Sequence, residues 1–380
     1  MKLAADSPAT LPLTPEAKAA EKYNIVKNIV RGIVPLITYP LFSILLMAIT
    51  LLIFRFNPLK VMPVIWDGAF GGGDIGHINA ISETIVKATP LILTGLSIVV
   101  AWRAGLFSIG GEGQLLMGAL TATAISHLLK WMSSSLVIPL MIVGATAAGA
   151  LWGGIAGWLR IHRNVQEVIS TIMLNYVALY LVGVAVEGPL QEASKNGPYS
   201  SLLPNSLLFA HLLPISMTNG IQTRLHGGVL IAVLAVPIIA LYLNFTRQGF
   251  ALKLVGSNIR AANVAHYNVD AIRMRAMLLS GGLCGLAGVV QLMGVSSRLS
   301  LEFSPGWGYN AIPVALMGGL TPLGTLLSAL FFGALNAGSS NAERMINTPS
   351  VIINVVQAVA VMLIVSLRAW KRRASEGNAE

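Results

Sequence analysis

Charge is scarce in this chain. Only 11% of its 380 residues are Asp, Glu, Lys or Arg, against roughly a quarter in soluble domains, while 55% are hydrophobic. So few charges cannot cover so much apolar surface in water. Composition therefore excludes an ordinary soluble domain and implies a polytopic membrane protein. Cysteine is almost absent: Cys284 stands alone in an apolar, glycine-rich run, which excludes a disulfide framework and a thiolate metal site. Histidines 77, 127, 162, 211, 226 and 266 are dispersed and never stand at ligand spacing. No G-x-x-x-x-G-K-[ST] loop occurs, and no Ser–His–Asp set or pair of carboxylates can be assigned. "GGGDIG" at 71–76 matches a dinucleotide fingerprint by letter, yet no βαβ unit surrounds it. Enzymatic chemistry has no foothold here. The net charge of +10 does not point to nucleic acid either, because Lys and Arg collect on the cytoplasmic loops of membrane proteins.

What the sequence does have is long apolar runs. They fall at 33–54, 83–104, 108–129, 135–158, 166–187, 227–244, 275–294, 307–320, 323–340 and 350–367. The first is free of charge, long enough for a hydrocarbon core of about 30 Å, and reads as an uncleaved span rather than a signal peptide. The segment 307–320 is short enough to be a half-span. With both ends cytoplasmic, ten spans place the basic clusters at 18–31, 247–275 and 368–373 inside, as the positive-inside rule expects. The expected organisation is an all-α, polytopic protein. A cytoplasmic tail (1–32) leads into a transmembrane domain (33–368), and a second cytoplasmic tail (369–380) follows it. The domain carries an external loop at 188–226 and a cytoplasmic loop at 245–274. Five spans on each side of residue 200 suit two inverted halves.

Within the apolar runs, two features carry information. Glycines recur at helical spacing, Gly149, Gly153 and Gly157, then Gly281, Gly285 and Gly288, and read as faces that let helices approach closely. Polar residues also intrude. "GLFSIGGEGQ" at 105–114 sets Glu112 among four glycines, with Gln114 beside it. Asn175, Gln291, Asn310, Asn336, Asn354 and Gln357 fall within or at the edge of other runs. An ionisable group at membrane depth faces a cavity or a partner, unless it merely sits at a helix start and meets the helix dipole. Both readings of Glu112 stand at this point. For the amides, hydrogen bonding between helices is the plainer reading.

Five ordered blocks carry a resemblance: "GLFSIGGEGQLLMGALTA" (105–122), "NVQEVISTIMLNYVA" (164–178), "GFALKLVGSNIRAANVAHYNV" (249–269), "SGGLCGLAGVVQLMG" (280–294) and "GWGYNAIPVALMGGLTPLGTLLSALFFGAL" (306–335). Together they resemble the permeases of bacterial ABC importers for branched-chain amino acids, ribose and nucleosides, and most closely the nucleoside branch. The resemblance implies a permease subunit, not an enzyme, that needs no cofactor and moves a nucleoside or similar solute across the cytoplasmic membrane. It implies glycine-rich helix breaks near a translocation path at Ser108, Glu112, Gln114, Asn175, Trp307 and Asn310. It implies a cytoplasmic coupling element carrying Gly249, Gly256, Asn258, Ala261 and Ala262, with Asn258 suited to N-capping. The implied partners are a double-length ATPase, a second related permease in a heterodimer, an extracytoplasmic binding lipoprotein and the lipid bilayer. Members of this branch usually have Asn where Ser108 stands, and Gly-Ile where His266 and Tyr267 stand. Two rival readings are a permease for a simple sugar or autoinducer, and a stand-alone secondary transporter or channel using Glu112. The coupling-like loop argues against the second.

Overall fold

The computed structural model describes residues 55–346 apart from 73–75, 195–196 and 214–222, together with isolated positions at 45, 48, 49, 51–53 and 355. The expected tails, nearly all of the segments 33–54 and 350–367, and with them Asn354 and Gln357, lie outside the described residues. The described chain is helical, with only isolated β-bridges besides. Its helices are α1 (Pro58–Phe70), α2 (His77–Arg103), α3 (Gly111–Leu128), α4 (Ser134–Arg163) and α5 (Glu167–Glu187). They continue with α6 (Gly228–Phe245), α7 (Arg247–Ser257), α8 (Ile259–Val264), α9 (Val269–Gln291), α10 (Trp307–Met317) and α11 (Pro322–Ile346). A π-helical turn, Leu292–Ser296, extends α9.

Six helices among the described residues, α2, α4, α5, α6, α9 with its π turn, and α11, are long and apolar enough to cross a membrane. Helix α10 is not: its 11 residues rise about 16 Å, half the thickness of a hydrocarbon core. Helix α1 occupies a stretch the sequence reading treats as an external connection. Its prolines look like breakers, but Pro58 stands in the first turn, where no amide donor is needed, and the Asn57 side chain caps the start by accepting from Leu59 N at 3.0 Å. Packing against α11 then holds it, with Asn341 Nδ2 donating to Val64 O at 2.9 Å.

Helix α2 is the centre of the bundle, with 89% of its apolar window buried, whereas the windows of α4 and α5 are only 28% and 33% buried. Around it stand α9, α10 and α11, and α9 in turn packs on α3 and α4. Gly149 and Gly153 of the first glycine series meet the second series on α9, while Gly288 of the second faces α3. A Cβ on Gly149 would strike the backbone of Gly281 and Gly285, and one on Gly288 would strike that of Leu115 and Ala119. These helices touch along bare backbone, the packing that small residues permit where lipid supplies no hydrophobic drive. Polar ties cross the same core: the Ser97 and Ser280 hydroxyls lie 2.8 Å apart, and Lys87 Nζ donates to Ser340 Oγ at 2.5 Å. The loop at 188–226 folds over the end of α9, where Leu203 N donates to Ser297 O at 2.8 Å and Phe209 N to Met293 O at 3.1 Å.

Topology is testable with cysteine labelling. Cys284 is fully buried, so the wild-type chain is a quiet background. The exposed Ser206, replaced by Cys, is expected to react with a membrane-impermeant maleimide in intact cells. Ser375→Cys is expected to react only after permeabilisation, and its labelling in intact cells would overturn the orientation expected from the basic residues.

Candidate functional site

Helices α3 and α10 both begin inside the protein, at glycines that supply no side-chain cap. Each exposes first-turn amides that have no partner within the helix. At membrane depth such groups must be satisfied by protein. The carboxylate of Glu112, in the first turn of α3, accepts from Gly308 N of α10 at 2.7 Å and so closes the start of the second helix. Ser304 Oγ takes the amides of Gly306 and Trp307, at 3.3 Å each. The approach is so close that a Cβ on Gly308 would strike the backbone of Gly111 and Glu112. Glu112 is 7% exposed, sits in the first turn of its own helix and braces the start of another.

Helix α5 satisfies three further amides of the break. Glu167 Oε1 accepts from Phe107 N at 3.4 Å, Thr171 Oγ1 from Ile109 N at 3.2 Å, and Asn175 Oδ1 from Gly113 N at 2.9 Å. These three residues are spaced by four and form one polar stripe on an apolar helix. Asn175 Nδ2 also donates to Ile109 O at 3.0 Å and to the Tyr309 hydroxyl at 3.1 Å, joining α5 to α10. Glu167 is fixed in turn by Arg160 of α4 at 3.1 Å.

Two cavities flank the start of α10. The larger, about 650 Å³, is lined by Glu112, Asn175, Tyr176, Glu302 and Tyr309 among others. The smaller, about 320 Å³, lies against Lys87, Gln291, Trp307, Asn310 and Asn336. Pro305 lines both.

The 245–274 segment forms three helix starts, each capped by a side chain. Thr246 accepts from Gly249 N at 3.0 Å, Asn258 from Ala261 N at 3.0 Å, and Asn268 from Ala271 N at 2.9 Å. Gly249 and Gly256 are contact points: a Cβ on the first would strike the end of α6, and one on the second the carbonyl of Arg103. Gly256 also packs on Gly105, so α7 touches the segment that leads to Glu112.

Residues 80–366 match the family described as branched-chain amino acid transport system, permease component. The chain belongs to this family. It is 35% identical to the glucose ABC transporter permease protein TsgB13 of Haloferax volcanii over 77% of each chain. It is 33% identical to the guanosine ABC transporter permease protein NupP of Bacillus subtilis, over 90% of this chain and 95% of that one. It is 33% identical to the nucleoside ABC transporter permease protein NupB of Lactococcus lactis, over 87% and 90% of the two chains.

In this permease, the six residues expected near the path do not share one surface. Glu112 and Asn175 line the larger cavity, and Trp307 and Asn310 the smaller. Ser108 and Gln114 are buried and line neither; Ser108 Oγ accepts from Gly110 N at 3.3 Å, inside the break itself. The sequence reading missed Glu167, Thr171, Ser304, Gly308 and Tyr309. A signal existed for the first two, since with Asn175 they recur every fourth residue along a mostly apolar run. Ala261 and Ala262, paired in the sequence reading, separate: Ala262 is fully buried and Ala261 exposed.

His266 gains an explanation as well. Its φ of 56° is left-handed, and it follows α8 at the position where Tyr267 N donates to Ala262 O and His266 N to Asn263 O, both at 3.0 Å. That pairing is a Schellman cap, whose left-handed residue is most often glycine, the residue the branch usually has there. His266→Gly is expected to raise permease stability by about 0.5–1 kcal/mol, because a Cβ is removed from a conformation that disfavours it. The melting temperature of the purified variant measures this; a fall would show that the imidazole itself makes a needed contact.

Proposed function

We propose that this chain is a transmembrane permease subunit of an ATP-binding cassette importer that carries a nucleoside or a chemically similar solute inward across a bacterial cytoplasmic membrane. The observation that carries the reading is the meeting of two interrupted helices at Glu112, beside a cavity of about 650 Å³. That volume is within the range of small-molecule sites, and the exposed rings of Tyr176 and Tyr309 beside Asn175 suit a flat base and a hydroxylated sugar. Catalysis of ATP hydrolysis belongs to separate ATPase subunits.

The larger cavity opens on the poorly buried face of α5, which suits a second permease completing the path. The relatives support a heterodimer. Bacillus subtilis has a second guanosine permease protein, NupQ, 28% identical to this chain, and Lactococcus lactis a second nucleoside permease protein, NupC, at 26%. Both organisms thus hold one permease protein nearer to this chain and one farther from it. A double-length ATPase would dock on α8, whose Ile259 and Val264 are exposed apolar residues, and an extracytoplasmic lipoprotein would deliver the solute. Both termini would be cytoplasmic. The sugar reading draws on the glucose permease relative.

ATP-dependent uptake of radiolabelled guanosine by vesicles holding the whole transporter tests the assignment. Excess unlabelled adenosine is expected to compete and glucose is not; the reverse pattern would replace the nucleoside with a sugar. In the same assay Glu112→Gln should lower uptake about tenfold while the complex still assembles. The amide keeps an acceptor for Gly308 but loses the charge that strengthens the bond. Full uptake would leave the carboxylate with a structural role only.

Coupling is separable from folding. Ala261→Asp puts a charge on the exposed face of α8 and should reduce solute-stimulated ATP hydrolysis at least to background, with ATPase lost during purification. Ala262→Asp instead buries a carboxylate and should impair the permease itself, costing several kcal/mol. Normal coupling in Ala261→Asp would sink the docking role of α8.

A further inference from the structure

The end of α6, the start of α7 and the start of α9 line a third cavity, of about 350 Å³, whose wall holds none of the path residues and none of Gly249, Gly256, Asn258, Ala261 and Ala262. Arg247 and Arg275 line it, with Tyr242, Gln248, Tyr267 and Asn268. No acidic side chain is in its wall, and among the described residues neither arginine pairs with a carboxylate. Two guanidinium groups, two phenols and two amides are a donor set for an anion such as a phosphodiester. A second observation points to the anion's source. Above the cavity, α6 carries a continuous exposed apolar stripe, Leu230, Leu234, Ile238, Leu241 and Phe245, spaced by three or four residues. It runs the length of the helix and ends beside Arg247.

We propose that this cleft binds the anionic headgroup of a phospholipid from the inner leaflet, with an acyl chain lying along the α6 stripe. The proposal rests on the membrane orientation assigned above and not on the transported solute. A free phosphate would use the arginines but would not engage the stripe. A water-soluble ATPase could meet the arginines but cannot reach the stripe at membrane depth. Basic clefts at the cytoplasmic ends of transmembrane helices attract acidic lipids, and tyrosines such as Tyr242 and Tyr267 favour the interface. A lipid held here would bridge α6 and α9, the helices on either side of the coupling segment, and the start of α7 within it.

Native mass spectrometry of the intact transporter in mixed micelles tests this. Equal amounts of dioleoylphosphatidylglycerol and dioleoylphosphatidylcholine serve as probes. Wild type is expected to retain phosphatidylglycerol preferentially. Arg247→Gln and Arg275→Gln should each lower that retention about fivefold, with phosphatidylcholine unchanged. Arg247→Lys and Arg275→Lys keep the charge and should retain most of the preference, which separates loss of binding from misfolding. Equal retention of both lipids by wild type would overturn the proposal without any variant. So would loss of the preference on adding inorganic phosphate at constant ionic strength, which would make the cleft a site for a free anion. Loss of co-purifying ATPase in the glutamine variants with lipid retention unchanged would also overturn it and assign the arginines to the ATPase contact. None of these results depends on whether guanosine is the solute.

Discussion

Backbone amides at membrane depth find no water, and the structure around 105–114 and 304–309 is organised by that constraint. Two helices start inside the bundle, so their first-turn donors need acceptors from elsewhere in the chain. Glu112 supplies one to Gly308, and Glu167, Thr171 and Asn175 supply three more to the segment before α3 and to its first turn. Much of the local sequence follows from this. Gly308 has no room for a Cβ because the donor must come this close to Glu112. Asn175 is an amide because one side chain must accept from Gly113 while donating to Ile109 and to Tyr309.

The same arrangement links the helix break to α7 and to the turn between α10 and α11. Gly105, with φ of 75°, lies against Gly256 at the end of α7, and Arg103 Nε donates to Leu320 O at 2.9 Å at the turn between α10 and α11. Displacement of α7 would therefore bear directly on the residues that lead into Glu112 and on the far end of the half-helix it braces. Bare backbone contacts transmit such displacement well, because close-packed atoms have no slack to absorb it.

Much of the fold was legible along the chain. Apolar runs located α2, α4, α5, α6, α9 and α11 because a helix that crosses lipid must hide its backbone behind some twenty apolar side chains. Asn258 announced a helix start because an N-cap is a local interaction, made with an amide three residues away. The spaced glycines announced close packing for an equally local reason, a bare face at helical period. Helix α1 was illegible, since its 13 residues and two prolines are weak evidence alone and its stability comes from α11, far away in sequence.

The site divides along the same line. Sequence alone determined that Glu112 sits in a glycine-rich interruption of an apolar run, that Asn175 is an intrusive amide, and that the chain is a permease by its ordered motifs. Tertiary structure alone decided which amide Glu112 accepts, that Trp307 and Asn310 face a different cavity from Asn175, and that Ala261 is exposed while its neighbour Ala262 is buried. The physical reason is the range of the interactions. Hydropathy and capping act within a turn or two of one helix, whereas the contact between Glu112 and Gly308 spans 196 residues and exists only once α3 and α10 have packed.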